Sequence, residues 1–190
     1  MTRRSSSHTL KVMEKRFDLK QFGDELWSRE RARPIRSQLG DGLELLATGD
    51  VLVIDASGVQ VFDFSFAEEL FAKIVSTLKV EYPGRFLIVE GLTECARENL
   101  SQALEVKNLL MIERRKGKLS LLGKVHQADE ATFAAVRPEG ISAGELSRKL
   151  DVNLTAMNER LSKLANASVV RREKGSSASG REQYVYKVLK

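Results

Sequence analysis

The sequence predicts an α/β protein whose mixed sheet is joined by crossover helices, followed by a small second unit of helices and a hairpin. Four short runs of consecutive apolar residues, at 51–54, 86–89, 109–112 and 119–122, are typical of strands buried on both faces. The segments between the first three runs carry apolar residues at helical spacing. Strand, helix, strand, helix, strand is the order of a parallel layer with crossover helices.

The elements around these runs follow from local patterns. An apolar alternation over residues 10–17 predicts a first strand. A helix is expected from about Ser28, and Pro34 is expected to lie in its first turns or to kink it. The fourth apolar run is expected to pair with the third across a turn at Lys116 and Gly117.

The last fifty residues have a different pattern. The segment Arg-Pro-Glu-Gly at 137–140 is the strongest boundary signal in the chain. Ser142 and Glu145 have the spacing of a capping box that begins a helix. A turn at 151–153 precedes a second helix, and two strands flank the glycine- and serine-rich residues 175–180. The apolar side of the second helix is expected to consist of Leu154, Met157, Leu161 and Leu164.

The string LSRKLDVNLTAMNERLSKLANASVVRRE, with the hairpin after it, resembles the winged helix-turn-helix family of transcription regulators over about residues 129–190. The resemblance implies a supporting helix at 146–150, a recognition helix at 153–166 and a first wing strand at 169–172. Glu159 would lie in the middle of the reading face, where it can accept a hydrogen bond from cytosine but otherwise repels phosphates, so low or absent sequence specificity is expected. The expected contacts with double-stranded DNA are Thr155, Asn158, Glu159, Arg160, Lys163, Arg171, Arg172, Lys174 and Arg181.

The charge is distributed unevenly. Of 31 basic and 26 acidic residues, five and one fall in residues 1–16, 16 and 20 in residues 17–140, and 10 and five in residues 141–190. A positive surface attracts polyanions, so the basic C-terminal segment is the candidate for DNA. We expect a flexible basic arm at 1–16, a body at 17–124 and the winged-helix domain at 125–190. A homodimer is a further expectation, because the reading of DNA half-sites favours two-fold symmetry.

The string VLVIDASGVQVFDFSFAEELFAKIV resembles the STAS-like family, relatives of the anti-sigma-factor antagonists, over about residues 17–123. The matching residues are Asp55, Ser57, Gly58, Val59, Asp63 and Ser65. The resemblance implies a STAS-like mixed sheet that binds a protein partner. In the antagonists, a GHKL-type ATPase kinase phosphorylates a serine at the start of this helix, and Ser65 is the matching phosphoacceptor position.

The start of this helix also has structural interpretations. Ser65 and Glu68 have the spacing of a capping box, and Asp63 is an alternative cap. Phe64 and Phe66 replace small residues of the family pattern, so they either hinder a kinase, form a hydrophobic partner surface with Asp63, or turn into the core. A protein-only adaptor, in which the winged helix docks a polypeptide and its basic surface is incidental, therefore remains the alternative function.

Other function classes lack sequence support. The usual phosphate-binding, metalloprotease and nucleophile-elbow motifs do not occur, so we expect no enzyme and no cofactor; an enzymatic function would depend on Asp55 and Asp63 sharing a cleft. Cys95 is the only cysteine and is expected to be buried or inert, while His8 and His126 form no metal-ligand cluster. Without an 18-residue apolar stretch or a secretory leader pattern, a cytoplasmic location is expected.

Overall fold

The computed structural model describes residues 12–176 and 180–189. We refer to residues 12–124 as the α/β body and to the described residues after them as the C-terminal unit. The body contains β1 (Glu14–Asp18), a 3₁₀ turn (Lys20–Phe22), β2 (Glu25–Leu26), α1 (Arg29–Glu44), β3 (Val51–Asp55), β4 (Val61–Phe62), α2 (Phe64–Ala67), a π-helical turn (Glu68–Ala72), α3 (Lys73–Glu81), β5 (Phe86–Glu90), α4 (Glu94–Val106), β6 (Leu110–Arg115) and β7 (Lys118–Gly123).

The main sheet of the body is mixed and five-stranded, in the order β1-β3-β5-β6-β7. The first four strands run parallel and β7 pairs antiparallel with β6 across the predicted turn at Lys116 and Gly117. Strand β1 pairs with β3 from Glu14 onward. Residues 14–16, which we expected in the flexible arm, therefore belong to the sheet, while the rest of the expected arm up to residue 11 lies outside the described residues.

Alternating side chains divide the sheet into two buried faces. The helix face packs against α1, α3 and α4 and carries Leu52, Ile54, Leu87, Val89, Met111 and Leu122. The C-terminal face packs against the C-terminal unit and carries Val51, Val53, Phe86, Ile88, Leu110 and Ile112. Because successive residues of a strand point to opposite faces, burial of both faces gives the continuous apolar runs seen in the sequence.

Two helices of the body differ from a regular pattern. Pro34 lies in the second turn of α1, and the helix continues through it. The helix expected between the first two apolar runs contains the π-helical turn between α2 and α3. That wider turn carries Glu69, a fully buried carboxylate paired with Arg36 and Lys73, and the apolar stripe of this segment did not indicate it.

The C-terminal unit contains α5 (Gln127–Ala135), β8 (Ile141–Ser142), α6 (Ala143–Leu150), α7 (Leu154–Asn166), β9 (Arg171–Ser176) and β10 (Glu182–Lys187). Its three strands form a separate antiparallel sheet in the order β8-β10-β9. The predicted order of helices and hairpin is confirmed. The boundary signal at 137–140 falls between α5 and β8, inside the unit rather than between the units.

The predicted capping box at the start of α6 is confirmed. The backbone N–H of Glu145 donates to Ser142 Oγ over 3.3 Å, and the backbone N–H of Ser142 donates to the Glu145 carboxylate over 2.8 Å. Leu154, however, is 52% exposed instead of contributing to the apolar side of α7. It is the first residue of the helix, where the chain has just left the turn at Asp151, so it lies beyond the edge of the core.

Within the described residues, no helix has the combination of length and apolar character that crossing a bilayer requires.

Candidate nucleic-acid interface

Helix α7 separates its apolar and polar residues onto opposite sides. The helix is capped by Asn153, whose side chain accepts a hydrogen bond from the backbone N–H of Ala156 over 2.8 Å. On one side Met157, Leu161 and Leu164 are fully buried. On the other side the exposed residues include Thr155, Asn158 and Glu159. The structure therefore brings three of the predicted contact residues together on a solvent-facing surface.

The predicted contact Lys163 lies on α7 but is already paired. Its ammonium group binds the carboxylate of Asp129 in α5 at 2.5 Å, and that carboxylate is nearly fully buried. The pair neutralises the charge of Lys163 and joins α7 to α5. Arg160, also predicted as a contact, is half-buried.

The hairpin presents basic and aromatic side chains next to each other. Lys174 pairs across the strands with Tyr184, and the guanidinium of Arg172 lies 4.5 Å from the centre of the Tyr184 ring. Lys174 and Arg181 are exposed. Tyr184 is 47% exposed and was not among the predicted contacts, although its alternation with Tyr186 in one strand was visible in the sequence. An exposed aromatic ring beside cations is a surface on which a base or sugar can pack.

Arg171 points away from this surface. Its guanidinium donates to the backbone carbonyl of Gly49 and lies 5.3 Å from the centre of the Phe86 ring, both in the α/β body. Burial at this junction lowers the pKa of Arg171 below its usual value. Arg171, predicted as a DNA contact, therefore lies away from the surface that carries Arg172, because neighbouring residues of a strand face opposite sides.

At the start of α2, Asp63 is the cap. Its carboxylate accepts the backbone N–H groups of Phe66 over 2.8 Å and Ser28 over 3.2 Å. The alternative capping box of Ser65 and Glu68 does not form, because Glu68 turns away to bind Arg29.

The hydrogen bond from Arg29 lowers the pKa of Glu68, which also forms an ion pair with Lys107 over 3.3 Å. Ser65, in the first turn of α2, is half-buried, and its hydroxyl makes no hydrogen bond within the described part of the chain.

The two phenylalanines proposed as a partner surface turn inward. Phe66 is fully buried, with its ring centre 5.8 Å from that of Phe62. Phe64 is half-buried against the same core. An exposed hydrophobic surface at this place is therefore absent from the described structure, because burial of the two rings completes the packing of α2 onto the body.

The loop after β3 holds its polar residues by local bonds. Asp55 accepts the backbone N–H of Ser57 over 3.0 Å and pairs with Arg16 over 2.6 Å. Burial raises the pKa of Asp55, but the hydrogen bonds from Ser57 and the charge of Arg16 outweigh it and leave the pKa below its usual value. A carboxylate held ionised in this way is a poor general acid.

The remaining reactive side chains do not assemble into a site. Cys95, expected to be buried or inert, is exposed. His126 occupies the cap position of α5 without a capping hydrogen bond from its side chain. Across residues 12–176 and 180–189, no three histidine, cysteine, aspartate or glutamate side chains lie close enough to share a metal ion.

Part of the chain is similar to a protein of known structure. A solved structure described as a possible transcriptional regulator from Methanosarcina mazei Go1 is 20% identical, with a TM-score of 0.32. The match covers 35% of this chain and 57% of that chain, so this chain spans little more than half of that protein's length. No protein-family model matches the chain, and no curated protein matches it significantly.

Proposed function

We propose that this chain is a transcription regulator whose C-terminal unit is a winged helix-turn-helix that binds double-stranded DNA. The observation that carries the proposal is the polarity of α7, which buries Met157, Leu161 and Leu164 and turns Thr155, Asn158 and Glu159 to solvent. A helix of this kind fits the major groove, where short polar side chains read base edges. The hairpin then corresponds to the wing.

The structure reduces the set of residues available for DNA. Arg171 is held at the junction with the body, and moving Lys163 to a phosphate would leave the buried carboxylate of Asp129 without its partner. The proposed phosphate contacts are the exposed wing residues Arg172, Lys174 and Arg181, and Thr155, Asn158 and Glu159 are the proposed base-reading residues. Three phosphate contacts predict modest affinity, and they add no sequence specificity because phosphates carry no sequence information.

The body is proposed to be the STAS-like part, which binds a protein partner. Its C-terminal face and the C-terminal unit share one apolar cluster that includes Val53, Ile88, Met157 and Leu161. Separating the two units would expose this cluster to water, at a cost of about 1.5–3 kcal/mol for each large side chain. A partner would therefore act on the whole chain as one body, by covering α7 or by changing the geometry of a homodimer.

Graded-salt binding of duplex DNA tests the proposal. The affinity of the full chain for a pool of duplexes, measured by fluorescence anisotropy, is expected to fall steeply with salt. In a triple variant with Arg172→Gln, Lys174→Gln and Arg181→Gln, the slope of log affinity against log salt is expected to decrease by about 0.9 for each phosphate that is no longer neutralised.

A second variant tests the reading face, and a third controls for charge. Thr155→Ala with Asn158→Ala should reduce discrimination between duplexes by about 1–3 kcal/mol for each base that either side chain reads, with an unchanged salt slope. Lys15→Gln, Lys116→Gln and Lys118→Gln remove the same charge from exposed positions of the body. An equal decrease of affinity in this control, or no duplex binding at about 50 mM salt, would overturn the proposal.

A second candidate function, partner switching by phosphorylation of Ser65, is favoured by the capping geometry. Because Asp63 caps α2, the Ser65 hydroxyl is not used in the cap. A phosphate there would add about −1.5 to −2 charge beside the Arg29–Glu68 ion pair and would compete with Glu68 for the guanidinium. Mass spectrometry of the protein from its native cells tests the modification. A pull-down with Ser65→Asp tests the switch, and unmodified Ser65 with unchanged partner capture would rule it out.

A further inference from the structure

A cleft of about 520 Å³ lies between the α/β body and the end of α7. Its walls come from the second half of α3, the turn before β6 and its first residue, the link from β7 to α5, and the last turn of α7 with the turn after it. Lys163 of α7 also lines the cleft, but its ammonium group is paired with Asp129. This volume is within the range of about 300–1,000 Å³ that is typical of sites for small molecules. The cleft is separate from the solvent-facing surface of α7 that we propose for DNA.

Two lysines in the cleft are bound by amide oxygens and by no carboxylate of the described residues. Lys79 Nζ donates to Asn166 Oδ1 over 2.6 Å, and Lys124 Nζ donates to Asn108 Oδ1 over 2.8 Å. An asparagine oxygen fixes an ammonium group in place but does not neutralise it. No aspartate or glutamate is among the described residues that line the cleft. Two positioned positive charges in a partly enclosed site favour a negatively charged group.

The rest of the wall is substantially apolar. Val75 and Val80 of α3 line one side, and Leu109 and Ala167 line others. Val80 is 83% exposed. Apolar surface left open in this way is stabilised when an apolar ligand removes it from water.

We propose that this cleft binds a small organic anion with an apolar body, its carboxylate or phosphate group lying between Lys79 and Lys124. This inference goes beyond the proposed DNA-binding function and does not depend on it. Lys79 belongs to α3 of the body and Asn166 is the last residue of α7, so the ligand contacts both units where a hydrogen bond joins them. Occupancy of the cleft is thereby coupled to the helix that we propose to enter the major groove.

Three eight-carbon probes separate the requirements for charge and apolar body. Octanoate and octyl phosphate, kept below their micelle-forming concentrations, are expected to bind the full chain with one-to-one stoichiometry in calorimetric titrations. Octanol, which lacks the charge, and inorganic phosphate, which lacks the apolar body, are expected to bind at least about tenfold more weakly. In amide NMR spectra, octanoate should shift the resonances of Val80, Leu109 and Ala167 most.

A matched pair of variants tests the two lysines. Lys79→Gln with Lys124→Gln is expected to weaken octanoate binding about tenfold, because two exposed ion pairs with the ligand are removed. Lys15→Gln with Lys118→Gln removes the same charge from exposed strand positions outside the cleft and is expected to leave octanoate affinity unchanged. All four lysines are surface residues, so both variants should fold.

Four results would overturn the proposal, and each has a different interpretation. Octanol binding as tightly as octanoate would show an apolar groove without anion selectivity, and phosphate binding as tightly as octyl phosphate would show that the apolar wall is not used; either result overturns the proposal. It also fails if octanoate affinity is equal in the two double variants. Loss of duplex affinity in Lys79→Gln with Lys124→Gln, with octanoate binding unchanged, would overturn it as well, assigning these lysines to DNA and leaving the proposed function standing.

Discussion

Both faces of the five-stranded sheet bury apolar side chains, but they are covered in different ways. The helix face is covered by α1, α3 and α4, which connect the strands themselves. The C-terminal face is covered by residues that follow the last strand, including Met157, Leu161 and Leu164 of α7. A parallel sheet is normally buried on both faces, and here the second face is buried by the unit that we propose to bind DNA. The C-terminal unit is therefore part of the core of the body.

The residues of the C-terminal face change character along individual strands. On the C-terminal face, apolar residues are followed two positions later by charged ones, as in Val53 and Asp55 or Ile88 and Glu90. Arg16 pairs with both carboxylates over 2.6 Å. Side chains two apart in a strand share a face, so the C-terminal face changes from apolar packing to ion pairs at the carboxyl ends of β3 and β5.

Removal of the C-terminal unit is expected to have the largest effect. A fragment of residues 12–124 would expose Val53, Ile88 and Ile112, each fully buried in the full chain. Because an apolar face of this size is unstable in water, we expect the fragment to self-associate or to lose its folded structure. Light scattering after size exclusion, with circular dichroism, checks this. A folded, monomeric fragment would show that the body is stable without burial of its C-terminal face.

A double-mutant cycle across the junction measures how strongly the units are joined. Phe86→Leu and Arg171→Gln each remove one partner of the contact between the body and β9. We expect a coupling free energy of about 0.5–1 kcal/mol from urea unfolding, since the guanidinium is partly removed from water. The cycle of Tyr184→Leu with Arg172→Gln, inside the C-terminal unit, is the control for an exposed pair. Zero coupling at Phe86 would mean that the junction contact adds nothing to stability.

The cap of α2 gives a smaller effect and tests whether the chain unfolds as one unit. Asp63→Ala is expected to lower the free energy of unfolding by about 1 kcal/mol, because two backbone N–H groups lose their acceptor. Ser65→Ala is expected to change it by less than about 0.5 kcal/mol. Both should leave a single transition in thermal unfolding. Two separated transitions for Asp63→Ala would show that the body unfolds independently of the C-terminal unit.

The smallest effect is the pH dependence contributed by the capping box of α6. The hydrogen bonds from Ser142 lower the pKa of Glu145 in the folded chain. Its contribution to stability is therefore present above the unfolded-state pKa of about 4.3 and is lost as the pH falls through the folded-state value. Glu145→Gln should reduce the loss of stability between neutral and acidic pH in unfolding experiments. An unchanged pH profile would contradict this assignment.

Most of the fold was predictable because strong local patterns specify it. The four apolar runs correspond to β3, β5, β6 and β7, and the spacing of Ser142 and Glu145 predicted the start of α6. The π-helical turn was not predictable, because the apolar stripe passes through it. Asp63 and not Ser65 caps α2, because Glu68 forms an ion pair with Arg29 and so does not complete a capping box with Ser65. This ion pair joins separate helices, and local sequence patterns do not predict it.

The location of the candidate site on α7 was predictable, but the set of basic residues on its surface was not. Helical spacing predicted that Thr155 and Glu159 face outward on α7 and that Asn158 lies on the flank, and all three side chains are exposed. Spacing within a helix carries no information about a partner on another element, such as Asp129 for Lys163 or Phe86 for Arg171. Two of the basic residues expected to bind DNA are instead used to hold the structure together.

The sequence by itself determined the main helices and strands, their order and the burial of β3, β5 and β6 on both faces, since these depend on residue type and spacing along a few turns or residues. Only the tertiary structure decided what covers the C-terminal face and which cations remain available to a ligand. Both depend on contacts between residues far apart in the chain, such as Lys79 with Asn166, and on the direction in which each side chain leaves its strand or helix.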